Sequence, residues 1–163
     1  MTITTEIHAG DDMRNADLTG ANLQQANLQD VDLTNANLAD ANLRQANLEG
    51  VNLTGANLTG ADLGQANLDG ARLVKANLTD ANLRQATLRG ADMIRATLAG
   101  ADLGQAKLQG VNLPGANLTG ANLRQAKLID ADLVRANLTG ADLRQAKLDG
   151  ANTTAASMPA DKQ

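Results

Sequence analysis

The chain has 163 residues, a formal net charge of −4, and no Cys, Phe, Tyr or Trp. That length fits one domain of ordinary size, and without cysteine both disulfides and thiolate metal sites are excluded. Aromatic side chains normally supply much of a core's buried area, so any interior here is built from small aliphatic residues, and the mild charge speaks against general nucleic-acid binding.

Residues 1–15 begin MTITTEIHAGDD. They lack the basic n-region and apolar run of a signal peptide. No later stretch approaches the roughly 20 apolar residues of a membrane helix, so a cytoplasmic protein with no membrane span is expected. Ile3, Ile7 and Met13 suit this segment to an N-terminal cap or tail over the first regular residues.

From Ala16 to Gly150 the chain is an unbroken series of 27 pentapeptides, without one change of phase. The third position is Leu in 26 of them, with Met93 the exception. The first is Ala in 24 and Val at Val31, Val51 and Val111. The second is mostly Asn or Asp, and the last two vary and are polar. Positions five apart drift by about 140° around an α-helix, and the period fits a flat strand no better. A chain that buries two residues of every five must turn a corner every five, which predicts a solenoid.

A longer period sets the coil. Gln stands at Gln25, Gln45, Gln65, Gln85, Gln105, Gln125 and Gln145, in every fourth pentapeptide. The three Val positions share one phase of that period, and Lys107, Lys127 and Lys147 repeat it. Residues four pentapeptides apart therefore share an environment. Four pentapeptides make one coil, and the predicted fold is all-β: a quadrilateral parallel β-helix of about seven coils. At about 4.8 Å per coil the regular part, residues 16–150, is roughly 32 Å long.

At every tenth position from 20 to 150 the corner residue is Gly or Asp, ten Gly and four Asp. Such residues tolerate the positive φ of a type II turn. The intervening corners carry Gln, Asn, Lys or Arg, with Gly55 and Gly115 the exceptions. Two alternating turn geometries are expected.

Units such as ANLTG, ADLRQ, ANLRQ and ADLGQ resemble the A(D/N)LXX signature of pentapeptide-repeat proteins, throughout positions 16–150. The resemblance implies the right-handed form of the quadrilateral β-helix, with the central Leu and the preceding Ala inside. Stability in such a solenoid comes largely from contacts between neighbouring coils. Residues 151–163, ANTTAASMPADKQ, offer only Met158 and read as a C-terminal tail, partly ordered at most in its first residues. An uncapped last coil is the alternative, since an open strand edge invites pairing with a second copy, giving a homodimer by end-to-end stacking.

The inventory does not support an enzyme. One His (His8), one Ser (Ser157) and two Glu (Glu6 and Glu49) form no nucleophile–base or metal-ligand arrangement. Neither a catalytic residue nor a cofactor or metal site is assigned. Function is sought on the four outer faces. One carries a Thr and Asn array that includes Thr59, Asn57 and Asn77. The next interleaves Arg44, Arg84, Arg124 and Arg144 with Asp62, Asp102 and Asp142, placed for pairing along the stack. The third changes sign along the rod, from Asp30, Glu49 and Asp69 to Lys107, Lys127 and Lys147, a candidate ladder for contacting an anion. The fourth stacks Val74, Ile94, Pro114 and Val134 into an outward apolar stripe beside Lys75, Arg95 and Arg135. Contiguous apolar patches tend to mark contacts, so this stripe is the candidate partner-binding site.

The reading that follows is a non-enzymatic protein-interaction scaffold, a rigid rod that presents side-chain ladders to an unidentified partner protein. The alternative, implied by the resemblance, is a DNA mimic that binds or inhibits DNA gyrase or another topoisomerase. Relatives of that type resemble strongly acidic dimeric rods with Phe at the central position. This sequence has no Phe, and its Asp residues are interleaved with Arg and Lys.

Overall fold

The computed structural model describes residues 7–160. The second residue of each pentapeptide makes a parallel bridge to its counterpart four pentapeptides on, from Asp12–Asp32 to Asn137–Ser157. One circuit of backbone therefore takes four pentapeptides and four corners, and stacked circuits make four flat faces.

The consensus follows from where the backbone N–H groups go, because a buried backbone donor needs a partner. In the unit Ala41–Gln45, Ala41 closes the preceding corner on the Leu38 carbonyl at 3.1 Å, and Asn42 donates back to Ala21 at 2.9 Å. Leu43 donates forward to Asp62 at 2.7 Å and Gln45 forward to Gly64 at 3.0 Å. Only the fourth N–H, that of Arg44, reaches no carbonyl, and the Asn42 side-chain oxygen accepts it at 3.2 Å. Asn or Asp at the second position is thus an acceptor built into most of the corners, a local side chain-to-backbone bond of the Asx kind. Pro114 occupies the one position where a missing N–H breaks no bond to another coil.

The corners do not alternate in geometry. Every corner residue from Gly10 to Ala155 has a positive φ, including Gln25 at 60°, Gln85 at 59°, Lys75 at 58° and Arg95 at 56°. The expectation of two turn types is therefore corrected. Each corner is closed by the same bond, from the first N–H of one unit to the third carbonyl of the unit before, as in Ala26 to Leu23 at 3.0 Å. That bond needs a left-handed residue whatever its side chain. For a non-glycine residue the conformation costs roughly 1–2 kcal/mol. The Gln corners offset part of it with an unbroken side-chain ladder, each amide donating to the next from Gln25 to Gln145 over 2.7 to 3.2 Å.

Leu and Ala fill the interior. Leu28 through Leu143, with Met93 and the three Val residues, are essentially excluded from solvent, and among the described residues no polar or charged residue is buried with them. Ile7 and Met13 pack against one end of this core, and Leu148, Ala156 and Met158 against the other; Ile3 lies outside the described residues. The regular bonding extends beyond Ala16 and Gly150. Asn15 bonds to Thr34, and Ala156 closes a further corner on Thr153 at 3.0 Å, because Met13 and Ala151 supply the aliphatic positions those turns need.

Candidate functional site

Val74, Ile94, Pro114 and Val134 stack at one corner of successive coils, each half-buried. Their carbonyls accept the ladder bonds of Gly55, Lys75, Arg95 and Gly115, so the stripe is held at coil spacing by its own backbone. Pro114 and Gly115 take the two central turn positions, Pro with its fixed negative φ and Gly at φ +65°. No side chain projects from Gly115. Ile94, Pro114, Val134 and Thr154 therefore line a shallow groove of ≈ 410 Å³, with Arg95 and Arg135 on its rim. Among the described residues neither rim arginine has an ion pair. The groove offers apolar surface bordered by uncommitted cations.

Lys107, Lys127 and Lys147 are stacked by direct bridges. Lys107 is half-buried and the other two are exposed. None pairs with a carboxylate among the described residues. At the other end of the same face Asp69 is occupied by Arg89, whose backbone N–H and guanidinium reach it at 2.8 and 3.1 Å. The change of sign along this face thus leaves free charge at the C-terminal end.

Two arginines of the mixed-charge face pair along the stack as the spacing suggested, and two do not. Arg44 reaches Asp62 and Arg84 reaches Asp102, each at 3.4 Å. In both cases the guanidinium lies over a glycine of the next coil: a Cβ on Gly64 would stand 3.2 Å from Arg44, and one on Gly104 3.1 Å from Arg84. Neither glycine has a positive φ, so their smallness matters here and not their backbone freedom. Arg144 binds its own unit's Asp142 through two bonds, of 2.8 and 2.5 Å.

Hydrogen bonding to Arg144 lowers the Asp142 pKa from 3.8 to about 2, and hydrogen bonding to Arg14 does the same for Asp12. Both pKa values are lower folded than unfolded. Whatever these exposed pairs contribute to stability is therefore fully present above 3.8 and lost as the pH falls through about 2. The Thr and Asn face bonds to itself: Thr59 donates to Asn57 at 2.7 Å, and Asn77 donates to Thr59 at 2.9 Å. His8 sits beside Asp11 at the N-terminal end, with 3.8 Å between ring nitrogen and carboxylate. Among the described residues no group of three or more His, Cys, Asp or Glu could hold a metal ion, and no helix is long and apolar enough to cross a membrane.

A four-cornered parallel β-solenoid with a sealed aliphatic interior and information only on its outer ladders defines a class of repeat protein. The chain belongs to the pentapeptide repeat family, whose model matches residues 12–50, 36–73, 76–115 and 116–152 in eight copies. Such proteins form right-handed quadrilateral β-helices. Among solved structures it is similar to HetL from the cyanobacterium Nostoc sp. strain PCC 7120, a pentapeptide repeat protein involved in heterocyst differentiation regulation. The identity is 31%, over 95% of this chain and 88% of that one, with a TM-score of 0.61. It is also similar to Rfr23 from the cyanobacterium Cyanothece 51142, at 38% identity over 56% of this chain and 63% of that one, TM-score 0.55. The fold is shared with QnrB1, a plasmid-mediated fluoroquinolone resistance protein, at 17% identity over 92% of this chain and 87% of that one, TM-score 0.59. No curated protein matches the chain.

Proposed function

We propose that this protein is a non-enzymatic interaction scaffold, a rod of about seven four-sided coils that binds a partner protein along the Val74, Ile94, Pro114 and Val134 stripe. One observation carries the reading: an apolar groove lined by Ile94, Pro114 and Val134, rimmed by the unpaired Arg95 and Arg135. Structure alone does not call for three aliphatic residues at a solvent-facing corner that Thr34, Thr54 and Thr154 occupy in other coils. The similarity to HetL, a protein of differentiation control, fits a regulatory binding role. The gyrase reading has no such observation behind it. DNA mimicry requires an extended field of one sign, whereas Asp62, Asp102 and Asp142 are each held by an arginine.

The test places a photo-crosslinking amino acid at position 114, and in a separate variant at Thr119 on the Thr and Asn face, in cells of the source organism. A discrete protein adduct is expected from 114 and none from 119. Changing Val74, Ile94 and Val134 together to Thr should reduce that adduct at least about tenfold, the equivalent of roughly 1.4 kcal/mol, with the thermal melt little changed. Equal adducts from both positions, or an adduct indifferent to the triple change, would remove the stripe as the site.

A further inference from the structure

The fourth position along one corner reads Arg44, Gly64, Arg84, Gly104, Arg124, Arg144 in successive coils. Twice, an arginine crosses the glycine of the next coil to reach the Asp two positions before that glycine, as Arg44 reaches Asp62 and Arg84 reaches Asp102. By that rule Arg124 would cross position 144 to Asp142. Position 144 is Arg, and Arg144 takes both oxygens of Asp142. Among the described residues the Arg124 guanidinium is left with no hydrogen bond or ion pair. Its charge acts on Asp142 only through space, and its backbone N–H is engaged by Asn122 at 3.1 Å.

The vacated position borders a notch. Arg84, Gly104, Gln105, Asn122, Arg124 and Gln125 enclose ≈ 300 Å³, against ≈ 130 Å³ for the sister notch over Gly64. Its floor is already satisfied: Asn122 donates to Asp102 at 2.8 Å and Gln105 donates to Gln125 at 2.8 Å. Arg84 is already paired with Asp102. What the notch still offers is the fork of donors on Arg124, a geometry that matches one carboxylate in two bonds. Around the next corner stand Lys107, Lys127 and Lys147, without carboxylate partners among the described residues and only intermittently offset by Asp130 and Asp149.

We infer that this corner is a second docking surface, on which an acidic segment of a partner protein places one carboxylate in the notch on Arg124 and others along the lysine ladder. The inference deepens the scaffold reading and rests on it for the partner's class. A carboxylate segment is favoured over nucleic acid because the uncommitted charge in the notch is a single guanidinium, whose fork fits one carboxylate, where a nucleic acid would call for a continuous run of cations along its phosphates. It also sits on a different corner from the apolar stripe, so one surface can fail without the other.

The experiment uses purified full-length protein and a fluorescent octaglutamate peptide, read by anisotropy at about 20 mM salt, where surface charge is least screened. Arg124→Gln is expected to weaken binding at least about fivefold. Arg144→Gly should weaken it comparably, because it frees Asp142 for Arg124 without touching that residue. Adding Asp142→Asn to Arg144→Gly should restore binding to within about twofold, since Arg124 is again uncommitted. Arg72→Gln, which removes an exposed cation from another face, should have little effect. If Arg72→Gln weakens binding as much as Arg124→Gln does, or if Arg144→Gly leaves it unchanged, the notch is not the site. An oligothymidylate of equal length that binds more tightly than the peptide would overturn the assignment to a carboxylate partner. The peptide assay needs no knowledge of the stripe's partner, so its failure leaves the crosslinking result untouched.

Discussion

Leu78→Lys is expected to abolish the single cooperative thermal transition of the rod. Leu78 is completely buried, stacked between Leu58 and Leu98 in an interior that, among the described residues, holds no buried polar or charged residue. Truncating such a residue to Ala already costs about 2–5 kcal/mol, and an unpaired ammonium in the same place costs considerably more. Domains of this kind are stable by only about 5–15 kcal/mol in total. The long lysine stem has no route outward, because backbone ladders close all four walls. Circular dichroism should show loss of the transition or its division into two weaker ones, as coils on either side of the defect uncouple. Gln85→Lys, at an exposed corner, should shift the midpoint by only a few degrees. An unchanged melt for Leu78→Lys would refute the interior assignment.

Deletions should separate register from length even more sharply. Removing residues 71–90 takes out one complete circuit and joins Gly70 to Ala91, so every ladder position keeps its chemical type. Such a variant should still unfold cooperatively at a somewhat lower temperature, since a solenoid's stability is close to a sum over repeats and their interfaces. Removing Thr79 alone shifts every later Leu by one position and turns the aliphatic set out of the core, the same penalty a strand suffers on slipping by one. The shifted coils are expected not to fold against the first ones, and limited proteolysis should reduce the protein to an N-terminal fragment. Comparable melts for the two deletions would contradict a coil of four pentapeptides.

Much of this architecture is legible in the sequence, and the reason is physical. In a solenoid the same environment recurs, so the interior announces itself as Leu and Ala at fixed positions and the circuit as the return of Gln in every fourth pentapeptide. The corner geometry is not legible. Residue type at the corners alternates between Gly or Asp and Gln, and two compositions invite a reading of two conformations. The structure shows one conformation, with the Gln corners supported by amide bonds to the next coil that no local pattern reveals. The purpose of Asn and Asp at the second position likewise depends on one N–H that faces no carbonyl, as at Arg44. The stripe and the lysine ladder are visible as stacks, but the notch at Arg124 is not. It follows from the path of an arginine over a glycine and from the capture of Asp142 by Arg144. The signal is nevertheless present in the Arg and Gly alternation that breaks at position 144.

Every assignment of a residue to a face rests on the four-pentapeptide circuit, and a cysteine pair tests it most directly, because the natural chain has no cysteine. Asn77 and Thr97 are bridged neighbours in successive coils. Their Cα atoms lie at the coil spacing of about 4.8 Å, within the roughly 4.4–6.8 Å that a disulfide spans. The variant Asn77→Cys/Thr97→Cys should form an intramolecular disulfide on mild oxidation while the rod stays folded. Asn77→Cys/Asp92→Cys places the two thiols on adjacent faces, with a corner between them, and should keep both free. A disulfide in the second variant and not in the first would show that the coil, and with it every face described above, has been drawn with the wrong circumference.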